Sequence, residues 1–354
     1  MAEVARSAVS DPGRYRFSGT GGSRGFSLFL VMVFLSGGGL CLLGVMIGAV
    51  PLEPRVVLRA LAGRSLPEEA QAVAVIWSLR LPRVIMALLV GTMLATSGTV
   101  VQAVFRNPLA DPYIIGISAS AVAGAVLAYS LGLSEVWYGI IGFGISLATA
   151  LLLFRFAARG DGLSVSTLLI VGVAVSSFLG AMTSFAMYAI GEDSYRIIVW
   201  TMGYLGGSTW SRVGIASFPM VLATTFFVYR RHEMDALMCS DEEAHAMGLR
   251  VGALKKELLA VSALIVAFSV AFCGMIGFVG LIVPHALRLI LGHSNTRLVI
   301  ASALGGGVFL LVADILARTL LAPTEIPIGV VTAFTGAPFF IVLACRMRSS
   351  GMIL

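Results

Sequence analysis

Few residues in this chain could do covalent or metal chemistry, and their spacing argues against it. His285, in VPHAL, and His293 lack the His-x-x-x-His spacing of a helical metal site, so no metal ligation is expected. The four cysteines, Cys41, Cys239, Cys273 and Cys345, form no C-x-x-C pair and read as small packing residues. No H-E-x-x-H pair, no two mid-span aspartates and no defensible Ser/His arrangement occur, which leaves an intramembrane enzyme without a nucleophile or base. A G-x-x-x-x-G-K-[ST] phosphate loop is also missing, so the chain is not itself an ATPase. The fifteen methionines are scattered and suit an apolar interior.

What the spacing does support is mechanical and electrostatic work. In MCSDEEAHAMGLRVGALKKE, residues 238–257, Ser240-Asp241-Glu242-Glu243 is a capping box that starts a helix. Asp241 and Glu242 suit the positive end of its dipole, and Gly248-Leu249 is a Schellman-type stop. Two turns cannot persist alone in water, so something must pack on them. Ala244 and Met247, flanked by Glu243 and His245, are expected to present a small apolar docking face. A second short helical run through Val251, Leu254 and Leu258 is expected after the glycine.

The elements that carry this segment follow from composition. The chain has 354 residues, 58% of them hydrophobic and 12% charged, with a mean hydropathy of +0.97. Such a chain is an all-α polytopic membrane protein, because only helices satisfy a spanning backbone over this many apolar runs. About ten spans are expected near 27–50, 83–105, 112–131, 136–157, 163–190, 213–230, 258–275, 276–291, 298–320 and 326–345. Residues 1–26, rich in Arg, Gly and Ser, read as a disordered cytoplasmic tail ahead of a permease domain at 27–354, with the polar loop at 232–257.

With both termini cytoplasmic, sixteen Lys and Arg fall inside and eight outside. Five of those eight crowd the external segment 51–83. The net charge of +6 reflects this topology, and no basic strip with interleaved aromatics suggests nucleic acid. An ion-coupled secondary transporter of a small solute remains the alternative; it would need buried mid-membrane acids, whereas Asp314 and Glu325 fall near the outer end.

Three further stretches carry a resemblance: RLPRVIMALLVGTMLATSGTVVQAVFRNPLADPYIIGIS (80–118), GMIGFVGLIVPHALRLILGH (274–293) and ADILARTLLAPTEIPIGVVTAFTGAPFFIVL (313–343). With the polar loop they resemble the FecCD or vitamin B12 permease type, the transmembrane subunits of ABC importers for iron chelates (siderophores), haem and cobalamin. The resemblance implies a ten-helix subunit in the inner membrane, paired with a second permease copy, identical or related. Two cytoplasmic ATPase subunits carrying ATP and Mg, and a periplasmic substrate-binding protein, are its implied partners; no cofactor is expected on this chain. Ser240, Glu242, Glu243, Ala244, His245, Met247, Gly248 and Leu249 would then form the ATPase-coupling segment, although the E-A-x-x-x-G spacing is met only loosely by Glu243, Ala244 and Gly248.

Arg80, Arg83 and Arg318 would dock the binding protein's glutamates, a role that a bidentate guanidinium suits; anchoring a helix end in headgroups is the plainer option for the first two. Ser164, Ser166 and Thr167 resemble the narrow cytoplasmic gate, with a helix N-cap as the alternative. Asn107 and Pro108 belong to a break that is either path or tight turn. Trp200, Met202 and Tyr204 would line an upper vestibule.

Overall fold

The structure is a computed structural model that describes residues 23–48, 52–159 and 162–349. All ten expected spans are helices: α1 (Ser23–Met46), α4 (Leu81–Phe105), α5 (Ile117–Ser130), α6 (Glu135–Ala157), α7 (Val165–Ile190), α9 (Trp210–Tyr229), α12 (Val251–Cys273), α13 (Val279–Leu291), α14 (Asn295–Thr319) and α15 (Ile328–Ser349). Seven are long and apolar enough to cross a membrane; α5, α13 and the apolar part of α15 are shorter. Between them lie α2 (Pro54–Leu61), α3 (Ala70–Val75), α8 (Tyr195–Thr201), α10 (Arg231–Leu237) and α11 (Asp241–Ala246). A two-residue antiparallel pair, β1 (Ala158–Arg159) and β2 (Gly162–Leu163), closes the turn before α7.

The expected tail at 1–26 lies mostly outside the described residues, and α1 already begins at Ser23. The second helical run expected after Gly248 is not separate: Val251 opens α12 and the helix runs unbroken to Cys273. No glycine or proline stands between Val251 and Leu258 except Gly252 in the first turn, so nothing stops propagation once the turn forms.

Helix α4 is the axle of the bundle, with 83% of its apolar window buried, against 17% for α1 and 11% for α7. Its close neighbours are reached through glycine. A Cβ on Gly91 would lie 2.2 Å from the Gly306 carbonyl, and one on Gly98 1.9 Å from that of Gly280. Backbones in lipid approach this way because packing, not water expulsion, drives helix association. Gly305-Gly306-Gly307 sits in the middle of α14 for this purpose. Thr92 donates to the Ala303 carbonyl at 2.7 Å and Thr99 to Ser302 Oγ at 2.9 Å, tying α4 to α14.

Between α12 and α13 the chain leaves helical geometry for five residues, with Gly274 at φ +69° and Phe278, a bulky residue, also at φ +69°. The Phe278 ring is accommodated over Gly336, whose missing Cβ would lie 2.3 Å from it. This break is knitted to two others: Tyr204 N–H donates to the Cys273 carbonyl at 2.8 Å, Ile328 N–H to that of Gly203 at 3.1 Å and Gly329 N–H to that of Met202 at 3.0 Å. Irregular backbone inside a bundle is tolerated because these bonds replace the lost helical ones.

Candidate functional site

The polar elbow forms as its residues dictate. Ser240 Oγ accepts from the Glu243 N–H at 3.0 Å, while the Glu243 carboxylate accepts from the Ser240 N–H at 3.1 Å. At the other end Gly248 takes φ +86°, and the Leu249 N–H closes on the Ala244 carbonyl at 3.2 Å. Glu242, Glu243, His245, Met247 and Gly248 are exposed, and Leu249 is half-buried. Ala244 corrects the expected docking face: it is wholly buried, turned into the protein as the residue on which α11 rests. Met247, 57% exposed, is the apolar side chain left for a partner.

This elbow is pinned to three helices, by residues that sequence reading did not select for the role. The Asp241 carboxylate takes Lys255 Nζ of α12 at 2.7 Å and pairs with Arg106, just beyond α4. Arg106 sits at φ +49° and donates through Nε to the Leu237 carbonyl at 2.6 Å. Burial works against ionised Asp241, but the bonds and charges of Lys255 and then Arg106 hold its carboxyl below the usual aspartate value. On α10, Asp235 accepts from Thr296 Oγ1 at 2.6 Å, from Ser294 Oγ at 3.2 Å and from the backbone N–H groups of Asn295 and Thr296, capping α14. A cleft of about 190 Å³ beside α11 is lined by Arg230, Glu233, Leu249 and Glu257 among others. Arg230 bridges both glutamates at 2.9 and 2.8 Å.

At the opposite end of the bundle the three candidate docking arginines turn inward. Arg83 donates to Asp314 and to Glu325, both at 2.9 Å; Arg318 meets the other Asp314 oxygen at 3.0 Å. Arg318 and Arg80 also donate to carbonyls at the end of α1, from Gly44 and Ile47 at 3.1 Å and from Val45 and Met46 at 2.8 and 2.7 Å. Gly44 and Gly48 leave the space their guanidiniums fill. Arg80 and Arg318 are 6% and 3% exposed, because carbonyls at the end of α1, which have no partner within the helix, accept from their guanidiniums.

The remaining candidates separate. Ser164 caps α7, accepting from the Thr167 N–H at 3.3 Å and bonding its hydroxyl at 2.8 Å, while Ser166 is exposed. Asn107 Oδ1 accepts from the Leu109 N–H at 2.8 Å, a local turn that Pro108 continues. Trp200 is not on an open wall; it is 8% exposed and packs edge-on against Tyr138, ring centres 6.1 Å apart. Met202 and Tyr204 are exposed beside it. His285 is buried between Phe339 and Phe340.

With this geometry in place, the family model described as the FecCD transport family matches residues 31–346. The chain belongs to the FecCD transport family. Among curated FecCD-like relatives, the Cobalamin import system permease protein BtuC of Halobacterium salinarum is 42% identical over 279 residues, 78% of this chain and 74% of that one. The Hemin transport system permease protein HmuU of Yersinia pestis is 39% identical, over 77% of this chain and 84% of that one. A solved inward-facing ABC transporter assigned to the metal-chelate type superposes with a TM-score of 0.79 at 30% identity, covering 91% of this chain and 99% of that one. The elbow, the α4–α14 pair and the inward arginines all lie within the FecCD match.

Proposed function

We propose that this FecCD protein is the permease subunit of an ATP-driven importer that moves a bulky metal chelate (a corrinoid, haem or ferric siderophore) from a binding protein to the cytoplasm. The observation that carries the reading is the capped elbow, exposed at its tip and pinned through Asp241 and Asp235 to α4, α12 and α14. A rigid attachment of this kind transmits a push on the elbow to the most buried helix of the bundle. The push comes from two ATPase subunits that bind ATP and Mg, since the chain has no phosphate loop. The elbow end and both termini are cytoplasmic in this reading, as the excess of Lys and Arg supports.

A second permease copy completes the path. Ser166, Ser177 and Ser184 are all exposed on α7, and their spacing of eleven and seven residues puts them on one helix face. A hydroxyl stripe suits a path shared between copies better than lipid, with Ser164, Ser166 and Thr167 at its narrow cytoplasmic end. The chain itself catalyses nothing in this scheme. Ion-coupled transport finds little support, because Asp314 is already held between two guanidiniums and offers no vacancy to a driving ion.

The test is uptake into proteoliposomes by the permease reconstituted with its ATPase and binding protein. Accumulation of chelate that requires ATP and all three components is the expected result. Uphill transport by the permease alone would replace this reading with the ion-coupled one.

A further inference from the structure

The loop between α4 and α5 is braced along its length by bonds within itself. Asn107 Oδ1 takes the Leu109 N–H, the Ala110 N–H closes on the Asn107 carbonyl at 3.1 Å, and Asp111 Oδ1 accepts from the Tyr113 N–H at 2.7 Å. Gly116 then closes the single turn Pro112–Ile115 by donating to the Tyr113 carbonyl at 3.1 Å. Pro108 and Pro112 fix two more φ angles. A segment held this way is a strut and not a slack tether.

The two ends of the strut are fastened to different parts of the molecule. It begins at Arg106, whose guanidinium is bonded to Leu237 and Asp241 at the elbow. It ends at the Tyr113 hydroxyl, which donates to the Ile276 carbonyl at 3.2 Å, and at Pro112, which lies against Gly280 where a Cβ would meet its ring at 2.7 Å. Ile276 stands in the middle of the non-helical break between α12 and α13, and among the described residues no other side chain bonds to the main chain of 274–278. Ile276 is wholly buried, and its side chain presses on Gly203, where a Cβ would lie 2.9 Å from Cγ1. Gly203 in turn holds the start of α15, its carbonyl accepting from the Ile328 N–H at 3.1 Å. Elbow, strut, break and α15 thus form one series of contacts.

The break is the place where such a series can act. Helix α13 is fastened along α4, since Gln102 donates to the Gly280 and Leu281 carbonyls at 3.3 and 3.4 Å and accepts from buried Arg288 at 2.9 Å. Helix α12 reaches the break from the elbow, where Lys255 holds it to Asp241. The two helices arrive with separate anchors, and the residues between them already lie outside helical geometry, with Gly274 and Phe278 both at φ +69°. A few element-terminal residues able to absorb a change in φ and ψ are what a hinge requires.

We propose that Tyr113 is the positioning residue that sets the α12–α13 break in step with the elbow. Its hydroxyl carries a displacement of the strut to Ile276, and Ile276 carries it to Gly203 and the start of α15. This rests on the importer reading, in which an ATPase drives the elbow, and takes that motion to the other end of the bundle.

The complex of the permease with its ATPase subunits, in nanodiscs of phosphatidylethanolamine and phosphatidylglycerol, is compared by hydrogen exchange with and without ATP and vanadate. Trapping the nucleotide should change exchange at both 238–249 and 274–278 in the wild type. Tyr113→Phe, which keeps the ring and removes only the hydroxyl, should retain the change at 238–249 and diminish that at 274–278 at least fivefold. A hydroxyl that merely stabilised the loop would leave the response to nucleotide intact, whatever it did to the melting temperature. Should Tyr113→Phe fail to assemble by size-exclusion chromatography, Asp111→Ala, which unties the strut and leaves the hydroxyl in place, decides in its stead by the same loss. An undiminished change at 274–278 in the assembled variant overturns the inference and leaves the importer reading standing, and so does a wild-type complex in which 238–249 responds and 274–278 does not. A permease that retains no ATPase, or shows no response to nucleotide at either segment, removes both.

Discussion

Arg83 of α4 and Asp314 of α14 are 231 residues apart in sequence and bonded at 2.9 Å, with the carboxylate completely buried. Asp314 is also ion-paired with Arg318, so one carboxylate holds two guanidiniums, one of which donates to carbonyls at the end of α1. Three helices are joined at one buried charge. Removing a partner from such a set strands the others in low dielectric, at a cost of about 3–5 kcal/mol. Asp314→Asn should therefore lower the melting temperature of the purified permease well below wild type with no binding protein present. Arg83→Ala should do the same. If the arginines served only to dock a receptor, both variants would melt as wild type does.

The capping box makes a second expectation. Ser240→Ala with Glu243→Ala removes both reciprocal bonds, a loss of about 0.5–2 kcal/mol for a helix of six residues that has little else to hold its first turn. Gly248→Pro additionally removes the N–H that bonds to the His245 carbonyl and forbids φ +86°. The bundle should keep its melting temperature, since the exposed tip contributes little to the core. Uptake per ATP hydrolysed should fall at least tenfold, read by parallel phosphate-release and uptake assays on the reconstituted complex.

Asp241→Asn tests the pin and not the cap. Lys255 is 6% exposed and would lose the carboxylate that both of its hydrogen bonds reach, so the elbow should loosen from α12 while α11 stays capped. Hydrogen exchange at 238–249 should accelerate, with that of α4 unchanged. The same pin sets a pH dependence. The Asp241 carboxyl titrates below its ordinary value in the folded protein, so its contribution is fully present above the unfolded value near 3.8 and is lost as pH falls through the lower, folded one. Exchange at the elbow should be flat from neutral pH down to about that value once corrected for intrinsic rates, and should rise only below it.

What sequence conveys well here is local. The ten spans follow from apolar length, and the capping box from four adjacent residues, because both are decided within a few turns. The fate of Arg80, Arg83 and Arg318 is not legible that way. Charge bias places them at one end of the bundle, but whether they point out or in depends on the carbonyls at the end of α1 and on Asp314 arriving from α14. Ala244 is a smaller case: its helix face is correct, but which side of a two-turn helix is covered is set by α10 and α12. Phe278 at φ +69° has no local signal at all, since only the gap over Gly336 permits it.

Glycine offers the sharpest contrast between positions that look alike in sequence. A methyl group added at Gly38, in α1, would meet nothing within 4 Å, whereas one at Gly91 would face the Gly306 carbonyl at 2.2 Å. Gly38→Ala should be neutral or stabilising by about 0.5–1 kcal/mol, because alanine gives up less chain entropy in a helix. Gly91→Ala must push α4 from α14, breaking the Thr92–Ala303 and Thr99–Ser302 bonds that depend on that spacing. Folded yield after detergent extraction should drop several-fold for Gly91→Ala and not for Gly38→Ala. Because the elbow is fastened to both α4 and α14, any Gly91→Ala protein that does fold should also hydrolyse ATP with poor coupling to uptake, and equal coupling in the two variants would mean that the α4–α14 contact carries no force.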